Sequence, residues 1–404
     1  MIKIPIVLAS DKNCISQMYT TILSALENKK QESFYEFYCL IPQKFSKYTN
    51  NKFYKLVKKY KNANLKFVKM NNAFSDIKMQ IPHITYPTFY RLKMADLLPQ
   101  EYEKAIYLDI DITVLEDLTE LFNINLEDNY IGGVHSINYF NDYITKSKPY
   151  YDSIGIPDMR YYINAGVMLW NLKKIREDNL TAKFLELSKN TYKYMDQDII
   201  NLTCYGKIKH IDFKFNTMTS IKQSFFDKPE NRQQVFDFYG EKSFQNAVEH
   251  PVIIHYASDA KPWNNTQISY RKQWLYYAKK SPFKSNLKQQ SIKSKFLAVI
   301  QQYKLKKVAF WGASLFLKDL ILTKKIKHHR LLGIIDKNSS MLNEKIGNIQ
   351  VYSPEELRTL NPDIVIFAVK NNNLEIYPKI KEYLKTNYPK IKLAPNPFDA
   401  ERKS

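Results

Sequence analysis

The stretch Ala105-Ile106-Tyr107-Leu108-Asp109-Ile110-Asp111 constrains the fold more than any other part of the chain. An apolar run ending in acids fits an interior strand of a parallel sheet, where both faces are covered. In open α/β sheets ligands bind beyond the carboxyl ends of the strands, which is where Asp109 and Asp111 fall. Side chains two apart on an extended segment point the same way. Both carboxylates can then grip one hard divalent cation and leave positions open for phosphate oxygens. A strand that merely ends in a polar turn gives the same pattern, so the reading depends on partners elsewhere in the chain.

The order of elements supports a doubly wound sheet. Ile4–Ala9 reads as a strand and Ile15–Asn28 as a helix, with Met18, Ile22, Leu23 and Leu26 at helical spacing. Phe34–Ile41 is a second strand, Phe53–Lys61 a charged helix and Leu65–Val68 a third strand. This β-α-β-α-β opening predicts parallel pairing. Thr88–Leu97 reads as helical and carries Arg91; Leu115–Phe122 is a short helix and Tyr130–Val134 a strand. Asn138–Arg160 is long, aromatic and without period, as expected of a lid or substrate loop. Asn164–Asn171 is a strand, Ile175–Lys189 an amphipathic helix and Asp196–Cys204 the start of another. After Phe213–Asn216 a loop is expected to about Gly240, then a strand Val252–Tyr256 containing His255, a turn at Ala260-Lys261-Pro262-Trp263 and a helix Tyr270–Lys280.

At 404 residues the chain is too long for one typical core. A second βαβαβ unit begins at Val308–Trp311, with a turn Gly312-Ala313-Ser314, a helix Leu315–Lys324 and strands Leu331–Asp336 and Asp363–Val369 flanking a helix Ser353–Leu360. The expected divisions are 1–282, a basic amphipathic linker helix at 283–304, a small Rossmann-like domain at 305–395 and a tail at 396–404. Gly312-Ala313-Ser314 lacks the further glycines of a dinucleotide fingerprint, so a nucleotide there is no better supported than a docking role.

The net charge is +21, which favours anionic partners. The charge is dispersed and no nucleic-acid recognition motif accompanies it, so nucleic acid is not the expected partner. Around Phe296, Leu297, Val299 and Ile300 stand Lys284, Lys288, Lys293, Lys295, Lys304, Lys306 and Lys307. This basic helix, spanning 284–307, suits either a solvated linker or adhesion to the anionic inner-membrane surface. Cys14, Cys39 and Cys204 show no paired spacing, which argues for a reducing compartment and against a cysteine zinc site. The N-terminus reads as a strand rather than a signal peptide, and no run suits a spanning helix. The expected location is cytoplasmic, peripheral on the inner face of the membrane.

A metal-bound diphosphate needs more than two acids. His255 ends a strand, where its imidazole can complete a coordination sphere, and that donor set suits Mn²⁺ better than Mg²⁺. Lys261 lies in a turn that can fold back over phosphates. Taken singly, each residue also fits a bland reading: a core histidine and a surface lysine.

The ordered set resembles family 8 retaining glycosyltransferases, which include bacterial lipo-oligosaccharide galactosyl- and glucosyltransferases and the glycogenins. The matching pieces are Val7-Leu8-Ala9-Ser10-Asp11-Lys12-Asn13, Phe89-Tyr90-Arg91-Leu92, Tyr107-Leu108-Asp109-Ile110-Asp111, Asn164-Ala165-Gly166-Val167-Met168-Leu169-Trp170-Asn171, Asp196-Gln197-Asp198-Ile199-Ile200-Asn201 and His255-Tyr256-Ala257-Ser258-Asp259-Ala260-Lys261-Pro262-Trp263. They cover about residues 4–280.

The resemblance implies a GT-A fold and a UDP-hexose donor, UDP-galactose or UDP-glucose. Asp109, Asp111 and His255 would hold Mn²⁺, with Mg²⁺ as the substitute. Ala9, Asp11 and Asn13 would meet uracil and ribose, and Arg91 the donor sugar or diphosphate. Asn164, Ala165, Asp196 and Gln197 would line the sugar subsite, Lys261 would bind the diphosphate, and Ile110 and Ser258 complete the donor-binding set. Gln197, Asp196 and Asn164 are the candidates for the reaction centre. An amide such as Gln197 is a poor nucleophile, which favours same-face attack with the UDP phosphate as base. The implied acceptor is a hydroxyl of a lipo-oligosaccharide, lipopolysaccharide or related lipid-linked glycan.

Two departures stand out: Ser258 where relatives often have glycine, and Val134-His135-Ser136 where some galactosyltransferases place an acceptor-touching aspartate. The acceptor is therefore not inherited from those relatives. The alternative to an enzyme is an inactive glycosyltransferase-like binding module, which the intact Asp109/Asp111/His255 set opposes.

Overall fold

A computed structural model describes the chain except residues 43–44, 72, 75–76, 78–85, 137–147, 228, 259, 264–267, 284–291, 327–329, 339–340, 343, 370–372 and 399–404, and the side chains of 292–295, 298, 373 and 374. Two compact units result, Met1–Gln289 and Gln290–Ser404.

The first unit is built on strands β1 (Ile2–Ala9), β2 (Ser33–Ile41), β3 (Ala63–Lys69), β4 (Lys104–Leu108), β5 (Ile112–Val114), β6 (Ile131–His135), β7 (Ile163–Asn171), β8 (Ile208–His210), β9 (Thr217–Met218) and β10 (Ile253–His255). Seven form one sheet in the order β3-β2-β1-β4-β7-β6-β8. All neighbours in it run parallel except at β7, which is antiparallel to both β4 and β6. The sheet is thus mixed, and the reversal has a consequence for the site. The carboxyl ends of β1 and β4 and the amino end of β7 meet along one edge.

Apolar side chains of the central strands divide between two faces. Ile6, Leu8, Ile106, Leu108, Val167 and Leu169 pack on one side with helix Ile15–Asn28. Val7, Ala105, Tyr107, Met168 and Trp170 pack on the other with Leu92, Phe184 and Ile199. This alternation is the strand period of two with both faces covered.

A second, three-stranded sheet has the order β5-β10-β9. β10 runs antiparallel to β5, with His255 opposite Ile112, and parallel to β9.

Several local expectations shift. Thr88–Leu97 is broken into Pro87–Tyr90, a 3-10 turn Arg91–Lys93 and Met94–Leu97. Ile175–Lys189 is two helices, Leu172–Glu177 and Leu180–Leu187, separated at the left-handed Asn179. The loop expected up to Gly240 instead contains helices Thr219–Asp227 and Arg232–Tyr239, anchored by Ile221, Phe225 and Val235. Part of the expected aromatic loop 138–160 lies outside the described residues; the rest includes helix Lys148–Ser153.

The second unit has strands β11 (Val308–Trp311), β12 (Leu331–Ile335), β13 (Lys345–Ile346), β14 (Ile349–Tyr352), β15 (Ile364–Phe367) and β16 (Lys392–Leu393), in the order β13-β14-β12-β11-β15-β16. Its core gathers Phe310, Leu317, Leu320, Ile334 and Ile366. Helix Ile292–Gln302 belongs to this unit, where Phe296 and Ile300 are buried. Lys284 and Lys288, and the side chains of Lys293 and Lys295, lie outside the described residues; Lys304, Lys306 and Lys307 are exposed.

Candidate active site

Two sheets deliver the acids and the histidine to one place. β4 ends at Leu108, and the Asp109 N–H continues its ladder by donating to the Gly166 carbonyl at 2.8 Å. The chain then bends, and the Thr21 hydroxyl reaches the carbonyls of Ile110 and Ile112 at 3.0 and 2.9 Å. Asp111 sits just before β5, whose Ile112 pairs with His255, and the Tyr256 N–H donates to the Asp111 carbonyl at 3.1 Å. This pairing closes a sequence gap of more than a hundred residues and sets the imidazole beside the carboxylates.

One ligand atom each from Asp109, Asp111 and His255 lies within 4.8 Å of the others. The His255 Nε2 is 3.4 Å from Asp111 Oδ1 and 3.9 Å from Asp109 Oδ2. Its Nδ1 lies 2.9 Å from Asn216 Oδ1. The Asn216 amide nitrogen donates to Asn164 Oδ1 at 3.0 Å, so the Asn216 oxygen faces the imidazole and accepts Nδ1–H. The Nε2 lone pair is left toward the carboxylates, as in metal sites whose histidine is oriented by a hydrogen bond on its far nitrogen. A Cβ on Gly166 would stand 2.2 Å from His255 Cε1 and 2.9 Å from Asp109 Oδ2, so the site closes only over a glycine. Two carboxylates and one imidazole suit a divalent cation such as Mn²⁺.

Around this set lies a chain of opposite charges. The Arg91 side chain is buried. Its Nη2 bonds Asp109 Oδ1 at 2.8 Å, its Nε bonds Asp196 Oδ2 at 2.9 Å, and its Nη1 donates to the Ala165 carbonyl at 2.5 Å. Its guanidinium lies over the Tyr107 ring, 4.1 Å from the centroid, and the Tyr107 hydroxyl donates to Asp109 at 3.1 Å. Burial would lower the Arg91 pKa, but Asp109 and Asp196 outweigh it and hold the group charged. Burial raises the Asp196 pKa to about 6, with Arg91 and the Thr88 hydroxyl, 2.6 Å away, opposing the rise. Asp111 goes the other way. Burial would raise its pKa, yet the Lys261 ammonium holds it well below the usual carboxylate range. The Lys261 ammonium bonds Asp111 directly and also donates to the Tyr256 carbonyl at 2.7 Å.

The remaining expected residues end or follow β1, open β7, follow β10 or stand on helix Asp196–Thr203. Ala9, Asp11 and Asn13 follow the carboxyl end of β1, where Asp11 caps a short turn by accepting from the Asn13 N–H at 2.8 Å. Asn164 and Ala165 open β7. The Gln197 Oε1 accepts from the Ala165 N–H at 3.0 Å and from Asn164 Nδ2 at 3.3 Å. The Ser258 hydroxyl donates to the Ala260 carbonyl at 3.2 Å; Asp259 lies outside the described residues. At the end of β6, His135 stacks on His210, centroids 3.6 Å apart.

Sequence alone singles out neither Asn216 nor Thr88: each stands at the boundary of an expected element, and its part is set by contacts far along the chain.

The glycosyl transferase family 8 model matches residues 5–267. Glycosyltransferase GlyA of Streptococcus pneumoniae serotype 4 is 26% identical over 67% of this chain and 34% of its own length. The lipopolysaccharide 1,3-galactosyltransferase of Salmonella typhimurium is 27% identical over 45% of this chain and 50% of its own length. The chain thus spans half or less of either relative. Among solved structures, the galactosyltransferase LgtC, in complex with donor and acceptor sugar analogues, superposes with a TM-score of 0.55 over 69% of this chain and 96% of its own, at 24% identity. That likeness shows a GT-A fold.

Proposed function

The chain belongs to glycosyltransferase family 8, and from that membership we propose that it is a metal-dependent retaining hexosyltransferase. It takes galactose or glucose from a UDP-sugar and places it on a hydroxyl of a bacterial surface glycan, lipid-linked at the inner membrane. The observation that carries this reading is the convergence of Asp109, Asp111 and His255 within 4.8 Å, with the histidine tautomer set by Asn216.

When bound by those three residues, a divalent cation supplies charge neutralisation to a diphosphate. The protein's own groups do the rest. The Lys261 ammonium lies beside Asp111 and adds positive charge where the UDP leaving group gains negative charge. The bond between the sugar C1 and the β-phosphate oxygen breaks, a bond from the acceptor oxygen to C1 forms on the same face, and the acceptor proton passes to the departing phosphate. Asn164, Ala165, Asp196 and Gln197 form one hydrogen-bonded wall suited to hold sugar hydroxyls. Asp196, paired with the Arg91 guanidinium, offers carboxylate oxygens that accept from them. Arg91 joins Asp196 to Asp109, so sugar wall and cation site are set by one buried guanidinium. Ala9 leaves room for a flat base, and Asp11 can accept from ribose hydroxyls or a uracil N–H.

In the second unit, Phe296 and Ile300 already face their own core, so membrane contact would rest on exposed Lys304, Lys306 and Lys307. No helix among the described residues is long and apolar enough to cross a membrane.

The test is UDP release from a panel of nucleotide sugars with and without Mn²⁺. The expected result is turnover with UDP-galactose or UDP-glucose, abolished by chelation and by Asp111→Ala. Folded protein silent toward every donor would instead indicate a binding module.

A further inference from the structure

Gln197 is held by more than the sugar wall. Its Nε2 donates to the Tyr162 hydroxyl at 3.1 Å. That hydroxyl donates its one proton to Asp198 Oδ1 at 2.6 Å. Asp198 Oδ2 accepts from the Tyr150 hydroxyl at 2.6 Å and from the Tyr194 N–H at 2.7 Å. Asp198 and Tyr162 are almost fully buried. Met195, between Tyr194 and the first residue of helix Asp196–Thr203, takes φ 48° and ψ −120°, a conformation that non-glycine residues rarely adopt.

The direction of each bond is fixed by chemistry. Ala165 N–H can only donate, so the atom of Gln197 facing it is the oxygen. A carboxylate can only accept, so Tyr162 spends its proton on Asp198 and must accept from Gln197.

We propose that Tyr162 and Asp198 are positioning residues for the transfer. Together they hold the Gln197 carboxamide with its oxygen toward Ala165 and Asn164, and the Asp198–Tyr194 bond pins the strained turn that presents Asp196 and Gln197. The kinetic consequence rests on the transferase reading above; the orientation of the amide does not. Tyr162→Phe keeps the ring and removes the hydroxyl. Asp198→Asn keeps an oxygen for the Tyr150 and Tyr194 donors but presents an NH₂ to Tyr162. That reverses the Tyr162 hydroxyl and turns a donor on Gln197.

The experiment follows the Gln197 side-chain NH₂ signal in ¹⁵N-glutamine-labelled full-length protein, identified by its loss in Gln197→Ala. Tyr162→Phe and Asp198→Asn are each expected to shift that signal and speed its solvent exchange about 10-fold or more. In donor turnover, Tyr162→Phe is expected to lower kcat about 10- to 100-fold with donor KM within about 3-fold of wild type. The same substitution in a Gln197→Ala background should add less than about 3-fold. A Gln197 signal indifferent to both variants overturns the proposal, as does a Tyr162→Phe loss of equal size in both backgrounds. If wild type turns over no donor, the transferase reading fails while the amide signal still decides the relay.

Discussion

At the scale of single residues, the site turns on groups that look ordinary in isolation. His255 faces the carboxylates because its Nδ1–H donates to the Asn216 carboxamide oxygen, and Asn216 is placed by Asn164. Gly166 lets the imidazole and the Asp109 carboxylate close against the backbone. Gly166→Ala is therefore expected to weaken cation binding about 10- to 100-fold, because a methyl there displaces the histidine ring. Calorimetric titration with Mn²⁺ in the presence of UDP checks this; unchanged affinity would show that His255 does not ligate. Asp109, Asp111 and His255 were legible in sequence because each sits at or beside a strand end, where α/β sheets bind ligands. Tyr162 was not, since one tyrosine among 30 carries no signal without its neighbours. The expectation that Arg91 meets the donor came only from family resemblance, and its ion pairs with Asp109 and Asp196 join residues too far apart in sequence to be read from it.

At the scale of elements, the parallel opening β1 to β3 could be read from alternating strand and helix patterns. The reversal of β7 could not, because direction is set by pairing with β4 and β6 across distant sequence. Likewise the helices after Asn216 were read as loop, since their apolar contacts Ile221, Phe225 and Val235 are spread thinly among polar residues. The ends of β6 and β8 hold a second feature of this kind. His135 and His210 stack there, and Nδ1 of His135 and both ring nitrogens of His210 are buried with no hydrogen-bond partner among the described residues. Burial lowers their pKa values to about 3 and about 4, from an ordinary 6.5. The unfolded chain therefore binds more protons between those limits, so stability is full above pH 6.5 and falls as pH drops toward 4. His210→Phe keeps the stack and removes one titrating group. Urea unfolding midpoints are expected to fall less steeply from pH 6.5 to 4 in that variant; identical pH dependence would contradict the buried, neutral pair.

At the scale of the whole molecule, every residue proposed to bind the donor or take part in the transfer lies within Met1–Gln289, which has its own cores, and the second unit has its own. A chain ending at residue 289 is expected to fold and to keep UDP-hexose hydrolysis within about 3-fold of the full chain, the size of change expected when no reacting group is lost. A folded but inactive fragment would place a needed group in the second unit. Two units were legible from length and from a repeated strand-helix pattern. The place of helix Ile292–Gln302 within the second unit was not, because Phe296 and Ile300 at helical spacing fit a free amphipathic helix as well as a packed one. The central claim is that Asp109, Asp111 and His255 hold one divalent cation against a nucleotide diphosphate. Electron paramagnetic resonance of Mn²⁺ titrated into the protein with UDP tests it most directly. One saturable ion per chain, lost in Asp111→Asn and His255→Ala while both variants stay folded, is the expected result; the same uptake in all three proteins, or none in wild type, would contradict it.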